Sequence, residues 1–132
     1  MSLKKIVRGL LLISVLSFLL TLLPDINTLT PELEKIFDSQ WDQKMEGLSP
    51  YSVIGLYLLI ILSYTTSIIL SWRIKLSGIY FMLFFYFLVF YISANVASIS
   101  TNTVLILETI SDISFASAAT FIYLINNRDK FL

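Results

Sequence analysis

Glu108 and Asp112 are two carboxylates four residues apart in a segment that otherwise reads as a membrane span. That spacing puts both on one face of a helix. In an apolar setting such a face can do three things. It can tie helices or subunits together through hydrogen-bonded acids, carry an ion or proton along a wet path, or pair with a basic side chain of another protein. Each requires the face to meet protein or water, because a carboxylate in hydrocarbon costs about 2.5–3.5 kcal/mol even on lenient insertion scales. Lys and Arg are absent from matching depth in every span, so the chain offers the pair no internal counter-charge. Ser111, beside Asp112, and Asn95, near the outer end of the preceding span, complete the intramembrane polar candidates.

Other chemistries lack their residues. The chain has neither Cys nor His, which removes thiolate nucleophiles, imidazole bases and the usual zinc ligands. It has no glycine-rich phosphate loop. An intramembrane aspartyl protease needs two facing Asp, and Asp112 is alone within the spans. The expectation is a protein that is not an enzyme and has no cofactor or metal. Its basic residues are too scattered for direct nucleic-acid binding.

The elements that must position the acids follow from hydropathy. Of 132 residues, 57% are hydrophobic and 14% charged, against about 25% charged in soluble domains. The apolar residues fall into four blocks, at 6–23, 51–72, 78–97 and 103–125. Each is near the roughly 20 residues that cross about 30 Å of hydrocarbon. The first block follows Lys4, Lys5 and Arg8 as a signal peptide would. It ends Leu22-Leu23-Pro24-Asp25 without a small-residue cleavage pattern, so it reads as an uncleaved anchor.

Charge sets the expected orientation. Lys4, Lys5, Arg8, Arg73, Lys75, Arg128 and Lys130 stand against Asp129 alone at the N-terminus, the second connection and the tail. The first connection holds Asp25, Glu32, Glu34, Asp38, Asp42 and Glu46 against Lys35 and Lys44. The positive-inside rule then puts both termini in the cytoplasm, in a bacterium on the inner membrane, with the acidic loop outside. Arg73, Lys75, Arg128 and Lys130 are the expected docking surface for a cytosolic protein partner.

The outer loop carries its own helix signals. Thr30 suits an N-cap, Pro31 the first helical position, and Glu32 and Glu34 the positive end of the dipole. Leu33, Ile36, Phe37, Trp41 and Met45 recur at helical spacing. This predicts an amphipathic helix over 31–46, either lying on the membrane surface or serving as an outer sensing surface. Within the spans, Ser14, Ser17 and Thr21, then Ser63, Thr66 and Ser67, then Ser111, Ser114 and Ala118 form small-residue faces suited to close helix packing. The third span is crowded with aromatics on every side.

The size and span count match small multidrug transporters, but those carry an essential Glu in the first span, where this chain has no acid. In layout the whole chain resembles the four-span membrane subunit of the Kiwa bacterial phage-defence system: N-terminus inside, four spans and little cytosolic mass. The resemblance rests on layout rather than a residue motif. It implies an oligomer that senses phage attachment or envelope disturbance and recruits a cytosolic, DNA-binding effector.

The expected protein is thus all-α, a single integral-membrane four-helix bundle over residues 1–132 with an amphipathic helix in its first extracytoplasmic loop. It is a homo-oligomer in the bilayer, acting as a sensor or anchor for a cytosolic effector. The alternative is a small oligomeric ion channel or proton-coupled transporter using Glu108 and Asp112.

Overall fold

The computed structural model describes residues 2–23, 30–45, 49–93 and 102–128. Within them the chain is helical and without strands: α1 Leu3–Leu20, α2 Pro31–Met45, α3 Pro50–Trp72, α4 Ser77–Ser93 and α5 Asn102–Asn126. By length and composition α3 and α5 are long and apolar enough to cross a membrane. The apolar run of α4, Ser77–Tyr91, is shorter.

Local chemistry starts and stops these helices where the sequence signals lie. Thr30 Oγ1 accepts from the Leu33 amide at 3.4 Å at the head of α2, with Glu32 and Glu34 in the first turn. Ser49 does the same for Ser52 at 3.2 Å, with Pro50 opening α3. The α1 helix begins three residues before the expected span and stops at Leu20. Its chain continues in turns closed by Leu22 N–H to Leu19 O and Leu23 N–H to Leu20 O. The described part of α4 reaches Ser93; residues 94–97 of the expected third span lie outside the described residues.

The α1 helix packs along α5, and α3 along α4. The start of α1, the end of α3 and the end of α5 lie together, so α1 and α4 run one way and α3 and α5 the other. Val7 and Leu11 of α1, Met82 and Phe85 of α4, and Phe115, Ala118 and Ile122 of α5 form the core. A chain of rings crosses it: Phe18 to Tyr64 at 4.8 Å, Tyr64 to Phe85 at 5.1 Å, Phe85 to Tyr86 at 5.4 Å.

The helices meet at small residues. Ser14 Oγ donates to the Ser111 carbonyl and Ser111 Oγ to the Ser14 carbonyl, each at 2.9 Å, so α1 and α5 exchange two bonds across a close crossing. The α3–α4 contact is tighter still. A Cβ on Gly78 would strike Ser71, its backbone nitrogen at 2.6 Å, and meet the Ser67 carbonyl at 3.0 Å. Ser67 and Ser71 are fully buried with unpartnered hydroxyls. Their role here is size, since larger side chains would hold the backbones apart. Outside, the large apolar residues Leu16, Leu58, Ile61, Leu62, Leu83, Phe87 and Ile113 are exposed. So many exposed large hydrophobics, beside serines buried at the crossings, are not what water favours.

This packing predicts opposite outcomes at two glycines. Gly78→Ala should lower stability by about 1–3 kcal/mol, because backbone rather than a side-chain tip must move. A Cβ at Gly55 meets nothing within 4 Å, so Gly55→Ala should be neutral or gain up to about 1 kcal/mol of helix propensity. Denaturant titration of the detergent-solubilised protein, followed by circular dichroism, checks both.

Candidate functional site

Three separate basic segments are gathered at one end of the helices. Lys4, Lys5 and Arg8 come from α1, Arg73 and Lys75 from the α3–α4 turn, and Arg128 follows α5; all are exposed. Two contacts bring them together. The Arg8 guanidinium sits 5.6 Å from the centre of the Trp72 ring, and its Nε makes a long bond, 3.5 Å, to the Trp72 carbonyl. A cation is favoured there by both the ring face and the negative end of α3. Asn126 Nδ2 donates to the Ile74 carbonyl at 2.8 Å and to the Ile122 carbonyl at 2.9 Å, so the end of α5 holds the turn. The acids among the described residues belong to α2 or are Glu108 and Asp112 of α5, and none lies in the three basic segments.

The turn itself is strained. Ile74 has φ of 60°, a left-handed conformation that is uncommon for a β-branched residue and costs about 1–2 kcal/mol. It occupies the position that glycine usually takes after a helix: its amide donates to Ser71 O at 2.9 Å and the Lys75 amide to Leu70 O at 3.0 Å. Packing of the Ile74 side chain against the core and the Asn126 bond hold it there. The effect is to fix Arg73 and Lys75 at defined positions on either side of the strained residue. Lys130, the fourth expected docking residue, lies outside the described residues.

The polar candidates of the apolar segments divide. Ser111 points inward and is bonded to Ser14. Glu108 and Asp112 point outward and are exposed in one copy of the chain, although a face turned to protein or water was the sequence expectation. Tyr86 donates its hydroxyl to Asp112 Oδ1 at 2.6 Å. Asp112 lies in a groove of about 470 Å³ between α4 and α5, whose walls include Ile79, Met82, Leu83, Phe115 and Ala116. Tyr86 is one of the third-span aromatics; its depth opposite Asp112 becomes visible only once α4 and α5 are packed. Asn95 lies outside the described residues.

On the proposed outer surface, Leu33 and Ile36 are exposed on α2. The side chains of Phe37, Trp41 and Met45 lie outside the described residues.

Because Asn126 holds the strained turn by one exposed hydrogen bond, Asn126→Ala should ease its opening by about 1 kcal/mol. The Ile74 and Lys75 amides should then exchange with deuterium about fivefold faster, with the middle of α3 unaffected. Site-resolved hydrogen exchange checks this.

No family model, curated protein or solved structure matches this chain.

Proposed function

We propose that α1, α3, α4 and α5 span a bacterial inner membrane as a four-helix bundle, termini in the cytoplasm, with α2 on the outer side. Several copies assemble into a non-enzymatic sensor or anchor that recruits or regulates a cytosolic effector, in defence against phage. The outer helix, through Leu33, Ile36, Phe37, Trp41 and Met45, receives the signal. Arg73, Lys75, Arg128 and Lys130 present the docking surface.

The observation that carries this reading is the gathering of basic side chains from three chain segments around a held, strained turn. A basic end without a facing acid among the described residues suits an acidic protein surface. The inverted packing supports the bilayer as solvent, because apolar outer residues are then satisfied by lipid and small residues by each other. With the Arg8 end in the cytoplasm, the positive-inside rule is obeyed by α1, the α3–α4 turn and the end of α5 together.

The test is co-purification from the native host in mild detergent. Lys75→Glu with Arg128→Glu should reduce the soluble protein retained by about tenfold, while helicity stays unchanged. Retention at the wild-type level would reject the docking surface.

A second reading, an oligomeric channel or proton-coupled transporter, is favoured by the outward placement of Glu108 and Asp112. Copies arranged around that face would line a shared path with carboxylates, which one copy cannot enclose. Asp112→Asn with Glu108→Gln should then cut cation flux into proteoliposomes by about tenfold or more. Equal flux before and after the change would end this reading.

A further inference from the structure

We propose that the cleft between α1 and α3 binds one anionic phospholipid, its acyl chain along Leu11, Val15 and Ile68 and its phosphate at Arg73 and Arg8. This rests on the membrane-spanning reading above and adds a lipid ligand to it. The cleft has a volume of about 460 Å³ and is walled by Leu11, Leu12, Val15, Ile68, Ile69 and Trp72, with Arg73 its single charged residue. An apolar trough with charge at one end has the polarity of a lipid: hydrocarbon along the helices and a headgroup at the water boundary.

The charged end is built for phosphate. Arg73 lines the cleft directly. Arg8 does not line the cleft but is tied to the neighbouring Trp72, its guanidinium 5.6 Å from the ring centre and its Nε 3.5 Å from the carbonyl. A guanidinium is planar, weakly hydrated and able to grip two phosphate oxygens at once. Trp72 is the residue type that settles at headgroup depth. Basic clefts between membrane helices on the cytoplasmic side are a recurrent site for anionic headgroups.

Two features select among phosphates. A free phosphate would answer the guanidinium groups but leave the apolar cleft unfilled, so the ligand is a lipid. A zwitterionic headgroup brings its own ammonium into an end that already holds Lys4, Lys5, Arg8, Arg73, Lys75 and Arg128, so the lipid is anionic. The α4–α5 groove makes the contrast: similar in volume, about 470 Å³, it is lined by the Asp112 carboxyl and by no Lys or Arg that could hold a phosphate. Lys75 and Arg128 line neither groove, so Arg73 is the docking residue that the lipid and the protein partner share.

The experiment uses Trp72 as its own reporter. The chain has two Trp, and Trp41→Phe leaves Trp72 alone. The full-length protein is reconstituted in phosphatidylcholine vesicles containing a minority of phosphatidylglycerol, with bromine on the acyl chains of one lipid or the other. Brominated phosphatidylglycerol should quench Trp72 at about tenfold lower mole fraction than brominated phosphatidylcholine. Arg8→Gln with Arg73→Gln should erase that preference. Val15→Phe, which fills the cleft and keeps both charges, should weaken it, and Lys4→Gln with Lys5→Gln should leave it in place. Equal quenching by the two lipids overturns the site and leaves the membrane reading standing. So does a preference that survives loss of both arginines, or one that disappears with Lys4 and Lys5, which is diffuse surface attraction. Quenching by neither lipid removes the membrane reading and the site together.

Discussion

Close approach of helix backbones at small residues is the constraint on which the rest of the structure depends. Between α1 and α5 it is made by Ser14 and Ser111, whose hydroxyls each reach the other's carbonyl. Between α3 and α4 it is made by Gly78 against Ser67 and Ser71, where one added methyl would collide with backbone. In the membrane reading the surroundings are also apolar, and bulk hydrophobicity cannot choose between helix faces. Shape and a few hydrogen bonds then choose. Many large side chains turn outward, while the serines of the crossings are buried beside a core of Leu11, Met82, Phe85, Phe115 and Ile122.

The same crossings fix the basic end. With α1 seated on α5 and α3 on α4, Arg8 reaches Trp72 and Asn126 reaches Ile74. These contacts tie three segments that are distant in sequence into one surface. The strained Ile74 belongs to this arrangement. A glycine would relieve the backbone but lose the side chain that packs on the core and would loosen a turn carrying Arg73 and Lys75. Strain of about 1–2 kcal/mol is retained where packing and an outside hydrogen bond together determine the conformation.

Much of this was legible in the chain. Thr30-Pro31 announces the start of α2, and the capping bond forms there; Ser49 caps α3 ahead of Pro50 in the same way. The faces holding Ser14, Ser111 and Ser67 were visible as periodic small residues, and those residues are buried. What periodicity cannot supply is which face meets which neighbour. Ser111 and Asp112 are adjacent in sequence and were grouped as one polar site, yet neighbouring residues point about 100° apart on a helix. One is locked against α1 and the other faces outward. The left-handed turn at Ile74 was hidden for a different reason: the usual signal for it is glycine, and here tertiary contacts impose it on isoleucine.

The outward acids bear on what a complete unit is. Asp112 has one bond, from Tyr86, and a carboxylate can accept several. Glu108 lies one turn away on the same exposed face. In the membrane reading, leaving this face against lipid would cost about 2.5–3.5 kcal/mol per acid, comparable to the disruption of a well-packed helix crossing. Every Lys and Arg of the chain lies near the ends of its apolar segments or in its connections, so a second copy can offer this face hydrogen bonds but not a counter-charge at the same depth. The two sides of the bundle therefore make different demands. The α1–α3 side has cations at its rim and an apolar cleft below. The α4–α5 side has a carboxyl group within its groove, and in the membrane reading whatever covers it must bring hydrogen bonds, water or positive charge.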